Sequence, residues 1–181
     1  MSTYKKFGLL ILLSLLTMGV FAQELVRVSN NINEVRVIEE DNNGLLLNVE
    51  IGSYVKNDVS INGKTYYSIT NDEGSLIYEK GYPDLPKITK SIAIPNNRGV
   101  KVSVVSFKLQ DYKMEVAPSK GILDRTVNPN NVPYEFAKVY STDEFYPKSY
   151  YSLGEPYLLH NQRGITIDFY PFVYNPITHT L

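Results

Sequence analysis

Downstream of Glu34 the chain alternates between apolar and polar positions. Apolar or half-apolar side chains recur at every second residue in Val35 and Val37, in Leu45, Leu47, Val49 and Ile51, and in Thr65, Tyr67 and Ile69. The same period runs from Ile88 to Ile94, through Val100, Val102 and Val104, and through Ile165, Ile167 and Phe169. Successive residues of an extended strand point to opposite faces, so each set marks one buried face of a β-strand. No stretch of helical length carries an apolar stripe at i, i+3 and i+4. The pattern predicts an all-β fold of antiparallel strands in a β-sandwich or jelly-roll-like arrangement. Asn62-Gly63, between two such runs, suits a type I′ hairpin turn, which needs positive φ at both central residues. Residues 95–99, PNNRG, mark a second tight turn. The final FVYNPITHTL reads as a strand, an Asn175-Pro176 turn and the start of a returning strand. The C-terminal strands are therefore expected to be truncated, with an unpaired edge over residues 165–175 and poor solubility as its consequence.

The first 22 residues follow a different pattern. Lys5 and Lys6 precede an apolar run from Phe7 to Phe21, and Val20-Phe21-Ala22 ends in the small residue that signal peptidase requires. A membrane span needs about 20 consecutive apolar residues, whereas this run has 15 with Ser14 and Thr17 inside it. The expectation is a Sec signal peptide over residues 1–22, cut between Ala22 and Gln23, followed by one β-rich domain over 23–181, with no membrane association after cleavage. Loss of Lys5 and Lys6 leaves 16 basic against 19 acidic residues, a formal charge of −3. That balance, with no basic stripe, points away from nucleic acid and anionic membrane as partners. The chain has no cysteine, which excludes disulfides and a cysteine nucleophile of its own.

Catalytic chemistry is sparse. His160 and His179 sit in turn-like contexts with no nucleophile and no metal-ligand spacing beside them, so no metal site and no cofactor are expected. Glu39-Glu40-Asp41 and Asp72-Glu73 flank turns and read as solvated carboxylates. DNNGLLL, 41–47, lacks the spaced acids and closing glutamate of a calcium loop, and no glycine-rich phosphate loop is present. The chain is not expected to be an enzyme.

One stretch resists assignment to any regular element: APSKGILDRTVNPNNVP, residues 117–133. Structureless loops of this length are uncommon in compact domains and tend to carry function. Pro118, Pro129 and Pro133 restrict φ at three points and reduce the entropy lost when a partner holds the loop. Ile122 and Leu123 are unfavourable if displayed to water, and Arg125 offers a five-donor fork suited to a carboxylate in a pocket. The stretch has the form of a substrate-like arm; it also fits a long sheet crossover with a solvated arginine. A tyrosine-rich run, FYPKSYYSLGEPY at 145–157, either closes a sheet edge or forms a ligand-contacting face. The alternative function is therefore an exported β-sandwich that binds carbohydrate or a surface.

GYPDLPKITKSIAIPNN (81–97), the run from Ala117 to Leu159 and RGITIDFYPFVYNPITHTL (163–181) together resemble the N-terminal propeptide of the gingipain-type cysteine peptidases, family C25. The resemblance runs from about Glu79 to Leu181 with the order of its motifs preserved; residues 23–78 share only the general strand pattern. It implies an inhibitory, folding-assisting prodomain of a secreted cysteine endopeptidase, masking the active-site cleft in the zymogen with the loop at 117–133. In arginine-specific members a loop arginine enters the primary specificity pocket, and the matching position is Arg125. Lys120 is the second candidate, suited to an enzyme that cuts after lysine. Asp124 is expected to repel an acidic cleft from productive seating. The implied partner is a C25-type catalytic domain, normally in cis and here at most in trans, because no peptidase domain follows Leu181. The implied route is through the periplasm to the cell surface or beyond.

Overall fold

The computed structural model describes residues 23–41, 44–97 and 99–181. The expected signal peptide with Ala22, Asn42 and Asn43 of the DNNGLLL stretch, and Arg98 of the PNNRG turn lie outside them; Gln23 opens the first strand. Ten strands are present among the described residues: β1 (Gln23–Arg27), β2 (Glu34–Glu40), β3 (Leu45–Glu50), β4 (Ser53–Ile61), β5 (Lys64–Thr70), β6 (Ser75–Leu76), β7 (Pro86–Ala93), β8 (Tyr151–Leu153), β9 (Tyr157–Leu159) and β10 (Gln162–Phe169). They form an antiparallel three-stranded sheet in the order β1-β4-β5, a β2-β3 pair, and a five-stranded sheet ordered β6-β7-β10-β8 with β9 also on β10. The helical content among the described residues is two short 3-10 segments, Pro129–Asn131 and Lys138–Ser141. The all-β expectation holds.

Turn chemistry sets the registers. Asn62 and Gly63 take φ of 52° and 80°, and the β4–β5 ladder runs from Ile61↔Lys64 to Val55↔Thr70. A second turn with two positive φ values joins β9 to β10 at His160 (46°) and Asn161 (68°). The sequence marked His160 as turn-like but, with no glycine there, not as the link of a hairpin; asparagine and histidine enter the left-handed region more readily than most residues. In β10, Ile165 pairs with Ile92 and Phe169 with Ile88, so the alternating apolar positions of β7 and β10 share one face. β10 has β7 on one side and β8 and β9 on the other. The unpaired edge expected over its residues is therefore absent, because the short strands β8 and β9 cover the flank that sequence reading left open.

Two other expectations change. Val100, Val102 and Val104 do not form a strand: residues 99–112 carry no ladder, and Val105 and Phe107 are 78% and 64% exposed. Alternation supplies a face, but a strand also needs a neighbour's backbone to pair with. The β2–β3 pair forms, yet stands apart from the other sheets, with a register shift between Val37 and Glu39 and with Val37 and Ile38 exposed. At the C-terminal end, Asn175-Pro176 makes the expected turn, closed by pairing of Asn175 with Thr180. Leu181 then exchanges two hydrogen bonds of 2.9 Å with Tyr112.

The core consists of Tyr54, Ile69, Leu85, Val116, Phe172, Tyr174 and Leu181. Each such side chain contributes about 1.5–3 kcal/mol by leaving water. Phe172 and Tyr112 pack edge-on against Tyr54 at 5.3 and 5.8 Å between centroids. The Tyr54 hydroxyl is buried without a hydrogen-bond partner, and burial pushes its pKa up to about 12. Val116, fully buried, lies where the chain leaves the core for the stretch that resisted assignment.

Candidate functional site

The first three residues of the 117–133 stretch are not loop at all. Residues 115–117 run parallel to β5: the Tyr67 amide donates to the Glu115 carbonyl and the Ala117 amide to the Tyr67 carbonyl, both at 2.8 Å. The opposite side of the same filament pairs with residues 81–84. There the Asp84 amide donates to Ala117 (2.8 Å), the Ser119 amide to Tyr82 (2.7 Å) and the Gly81 amide to Ser119 (2.8 Å). Ala117, Pro118 and Ser119 are buried by this double pairing.

The chain then leaves the body at Lys120 and returns at Ala137, whose amide donates 2.9 Å to the Gly81 carbonyl. Gly81 thus holds both limbs of the projecting loop. Its φ is +81°, and a Cβ there would lie 3.1 Å from the Ala137 Cβ, so glycine serves both the left-handed backbone and the close approach. Gly121, at φ +77°, turns the outgoing limb past Lys80. The Lys80–Glu135 ion pair at 2.7 Å is solvent-exposed and adds little.

Beneath this clasp sits Asp84. Its Oδ2 accepts the Ser68 hydroxyl at 2.8 Å. Burial raises its pKa, and hydrogen bonds from Ser68 and Ser119 partly offset the rise. The Ser119 hydroxyl oxygen also accepts the Gly121 amide at 3.2 Å, linking the carboxyl to the base of the outgoing limb. On the return limb, Tyr134 has its pKa raised by burial and then by the Asp84 charge. Farther along, Tyr140 donates its hydroxyl to the Val116 carbonyl at 2.9 Å.

At the tip, Asp124 organises a turn. Its Oδ1 accepts the Thr126 amide at 2.9 Å and the Thr126 hydroxyl at 2.8 Å, and its carbonyl accepts the Val127 amide at 3.0 Å. These Thr126 contacts lower the Asp124 pKa. Asn128 continues the ordering by accepting the Asn130 amide at 3.0 Å to start the 3-10 segment, as an N-cap side chain does. Arg125 occupies the second position of the turn, exposed and with no hydrogen bond or ion pair among the described residues. Ile122 is 87% exposed and Leu123 is partly buried. Lys120, by contrast, folds back: its Nζ donates 2.6 Å to the Pro129 carbonyl and lies 4.2 Å from the Tyr134 ring centroid. Among the five loop residues singled out by sequence, Arg125 and Ile122 point outward, Asp124 serves the turn and Lys120 serves the loop's interior.

Gly81, Asp84, Ser68 and Tyr134 were not singled out from sequence. The glycine carried a faint signal, standing just before Tyr82-Pro83; the partnership of Asp84 with Ser68 and Ser119 carried none. Several tyrosines of the run at 145–157 are tied to neighbouring segments of the chain. Tyr146 donates to Glu79 at 2.8 Å, Tyr151 donates to the Val102 carbonyl at 2.9 Å, and Tyr150 packs against Phe107 at 5.2 Å. His179 lies 3.5 Å from Glu115 at the surface. Among the described residues no group of three histidine, aspartate or glutamate side chains converges on a metal-sized site, and no helix is long and apolar enough to cross a membrane.

Comparison with known proteins bears on this geometry. The family model described as Propeptide_C25 matches residues 26–181. Gingipain R2 of Porphyromonas gingivalis is 42% identical over 113 residues, which are 62% of this chain and 15% of that protein. Gingipain R1 of Porphyromonas gingivalis is 41% identical over 113 residues, 62% of this chain and 11% of that protein. The chain thus spans a small part of the length of these curated relatives. Among solved structures, a chain of the complex of Porphyromonas gingivalis RgpB pro- and mature domains aligns at a TM-score of 0.77 with 33% identity, covering 81% of this chain and 77% of that one. A structure addressing zymogenic latency of gingipain K from the same organism aligns at 0.71 over 88% of this chain and 91% of that one; its 17% identity speaks to the fold alone.

Proposed function

Since the chain belongs to the C25 propeptide family, and is a propeptide region and not a catalytic domain, we propose that it masks the active-site cleft of a C25-type cysteine endopeptidase. The projecting loop that leaves the body at Lys120 and returns at Ala137 is the masking element and Arg125 the residue that enters the primary specificity pocket. The observation that carries this is the contrast in the loop. Arg125 is a guanidinium without a partner among the described residues, at the apex of a turn in a loop whose two limbs are both hydrogen-bonded to Gly81. A loop ordered before it meets its partner loses less conformational entropy on binding. The RgpB relative, solved as a complex of pro- and mature domains, supports a peptidase domain as the partner. The same reading has the chain directed out of the cytoplasm by residues 1–22, cut between Ala22 and Gln23, and delivered through the periplasm, assisting the peptidase's folding on the way.

Energetics favour a single dominant residue. Truncating one member of a desolvated, hydrogen-bonded charge pair costs about 2–5 kcal/mol, or about 30-fold to a few thousand-fold in affinity. To inhibit without being consumed, the loop must hold the carbonyl of Arg125 away from in-line attack, which a fixed turn does. The test is inhibition of an arginine-specific C25 catalytic domain by the full chain and its Arg125→Ala variant, with thermal unfolding monitored for both. The expected result is an inhibition constant raised at least 30-fold with an unchanged unfolding midpoint. Equal inhibition by the two folded proteins would remove Arg125 from the interface.

A further inference from the structure

We propose that Lys120 is a positioning residue that keeps the masking loop from being cut as a substrate; this rests on the role proposed for Arg125 above. Lys120 stands at the neck of the loop, immediately after the buried Ser119. Its Nζ reaches across to the return limb, donating 2.6 Å to the Pro129 carbonyl and sitting over the Tyr134 ring at 4.2 Å. The Pro129 carbonyl also accepts the Val132 amide at 3.3 Å, so one oxygen joins the 3-10 segment to the outgoing limb. The turn bearing Arg125, residues 124–127, is enclosed between the two ends of this cross-link.

The remaining hydrogen bonds of the tip are local. Those of Asp124 with Thr126 and Val127, and of Asn128 with Asn130 and Asn131, each span two or three residues. They shape the turn without fixing its distance from the body. The backbone bonds to Gly81 hold the loop's feet at Ser119 and Ala137. Lys120 is the contact that ties the feet to the tip across the opening. A cation serves because the ammonium donates to a carbonyl and at the same time rests on an aromatic face, two interactions that a neutral apolar side chain cannot replace. Releasing it leaves the Arg125 side chain in place but lets the peptide bond after it move toward the attacking geometry that a substrate adopts.

The test uses the full chain with Lys120→Met, which keeps an apolar stem and removes the charge, and Lys120→Arg, which restores a cationic donor. Three quantities are read: hydrogen exchange of the Val127 and Val132 amides in the free chain, inhibition of an arginine-specific C25 catalytic domain, and cleavage after Arg125 by mass spectrometry. Lys120→Met is expected to accelerate exchange and cleavage about 10-fold, the equivalent of one charge-assisted hydrogen bond, with Lys120→Arg returning most of both. Unchanged exchange and cleavage in Lys120→Met would overturn the proposal. So would weaker inhibition by both variants without faster exchange, which would make Lys120 a direct contact with the peptidase. If Arg125→Ala proves silent while Lys120→Met still loosens the free loop, the brace stands and the pocket role of Arg125 fails.

Discussion

Residues 99–111 and 120–136 are two long stretches without a β-ladder among the described residues, and their compositions are opposites. The first is built from valine, phenylalanine, leucine and lysine, and its alternation marks it as a strand; the second is built from proline, asparagine, glycine and aspartate, and reads as irregular. In the fold, 120–136 is the better tied of the two. Its Asp124 and Asn128 side chains accept amides two residues on, Lys120 crosses its neck, and Gly81 holds its feet. Residues 99–111 are held by side-chain contacts such as the Tyr151 hydroxyl on the Val102 carbonyl and leave Val105 and Phe107 largely exposed. Short polar side chains carry their own hydrogen-bonding partners for the backbone. β-branched and aromatic residues favour a strand only where a neighbouring strand and a packing surface exist.

Substitutions at paired valines sharpen that comparison most. Val116, fully buried on the approach to the loop, is expected to cost about 2 kcal/mol when replaced by alanine, from lost transfer energy and the cavity left behind. Urea denaturation of Val116→Ala would measure it, and a loss below half that value would mean that the filament beside β5 is not part of the cooperative core.

A smaller, pH-dependent effect is expected from Asp84. Because its folded pKa is raised above the ordinary 3.8, its contribution to stability is fully present below that value and is lost as pH rises through the raised one. Asp84→Asn should therefore flatten the stability curve between pH 3.8 and neutrality, and be at least as stable as wild type at the upper end. Parallel urea midpoints for the two proteins across that range would show that the carboxyl is not under the strain its burial implies. Asp124 has the opposite sign, its lowered pKa favouring the turn above its ordinary range and weakening it in acid.

The smallest effect is expected at Val105. With most of its surface in water, Val105→Ser should change stability by no more than about 0.5 kcal/mol. A cost like that of Val116→Ala would mean that residues 99–111 are packed in solution against something, and would erase the contrast between the two stretches.

The hairpin at Asn62-Gly63, the inward faces of β5, β7 and β10, the Asn175-Pro176 turn and the location of a projecting loop were all legible in the sequence. Each depends on periods of two or on turn residues acting over four or fewer positions. So was the family resemblance over Glu79 to Leu181. Other features were decided by tertiary structure because they depend on residues far apart in the chain. Val100 to Val104 lacks a pairing neighbour; β8 and β9 arrive to cover β10; Gly81 meets both Ser119 and Ala137; Asp84 meets Ser68. The same distinction separates the two basic residues of the loop. The family resemblance left Arg125 and Lys120 as alternatives for one role, the first suited to an enzyme that cuts after arginine and the second to one that cuts after lysine. The fold gives them different surroundings: where Pro129 and Tyr134 come to rest occupies the lysine, and the turn at Asp124 leaves the arginine facing water.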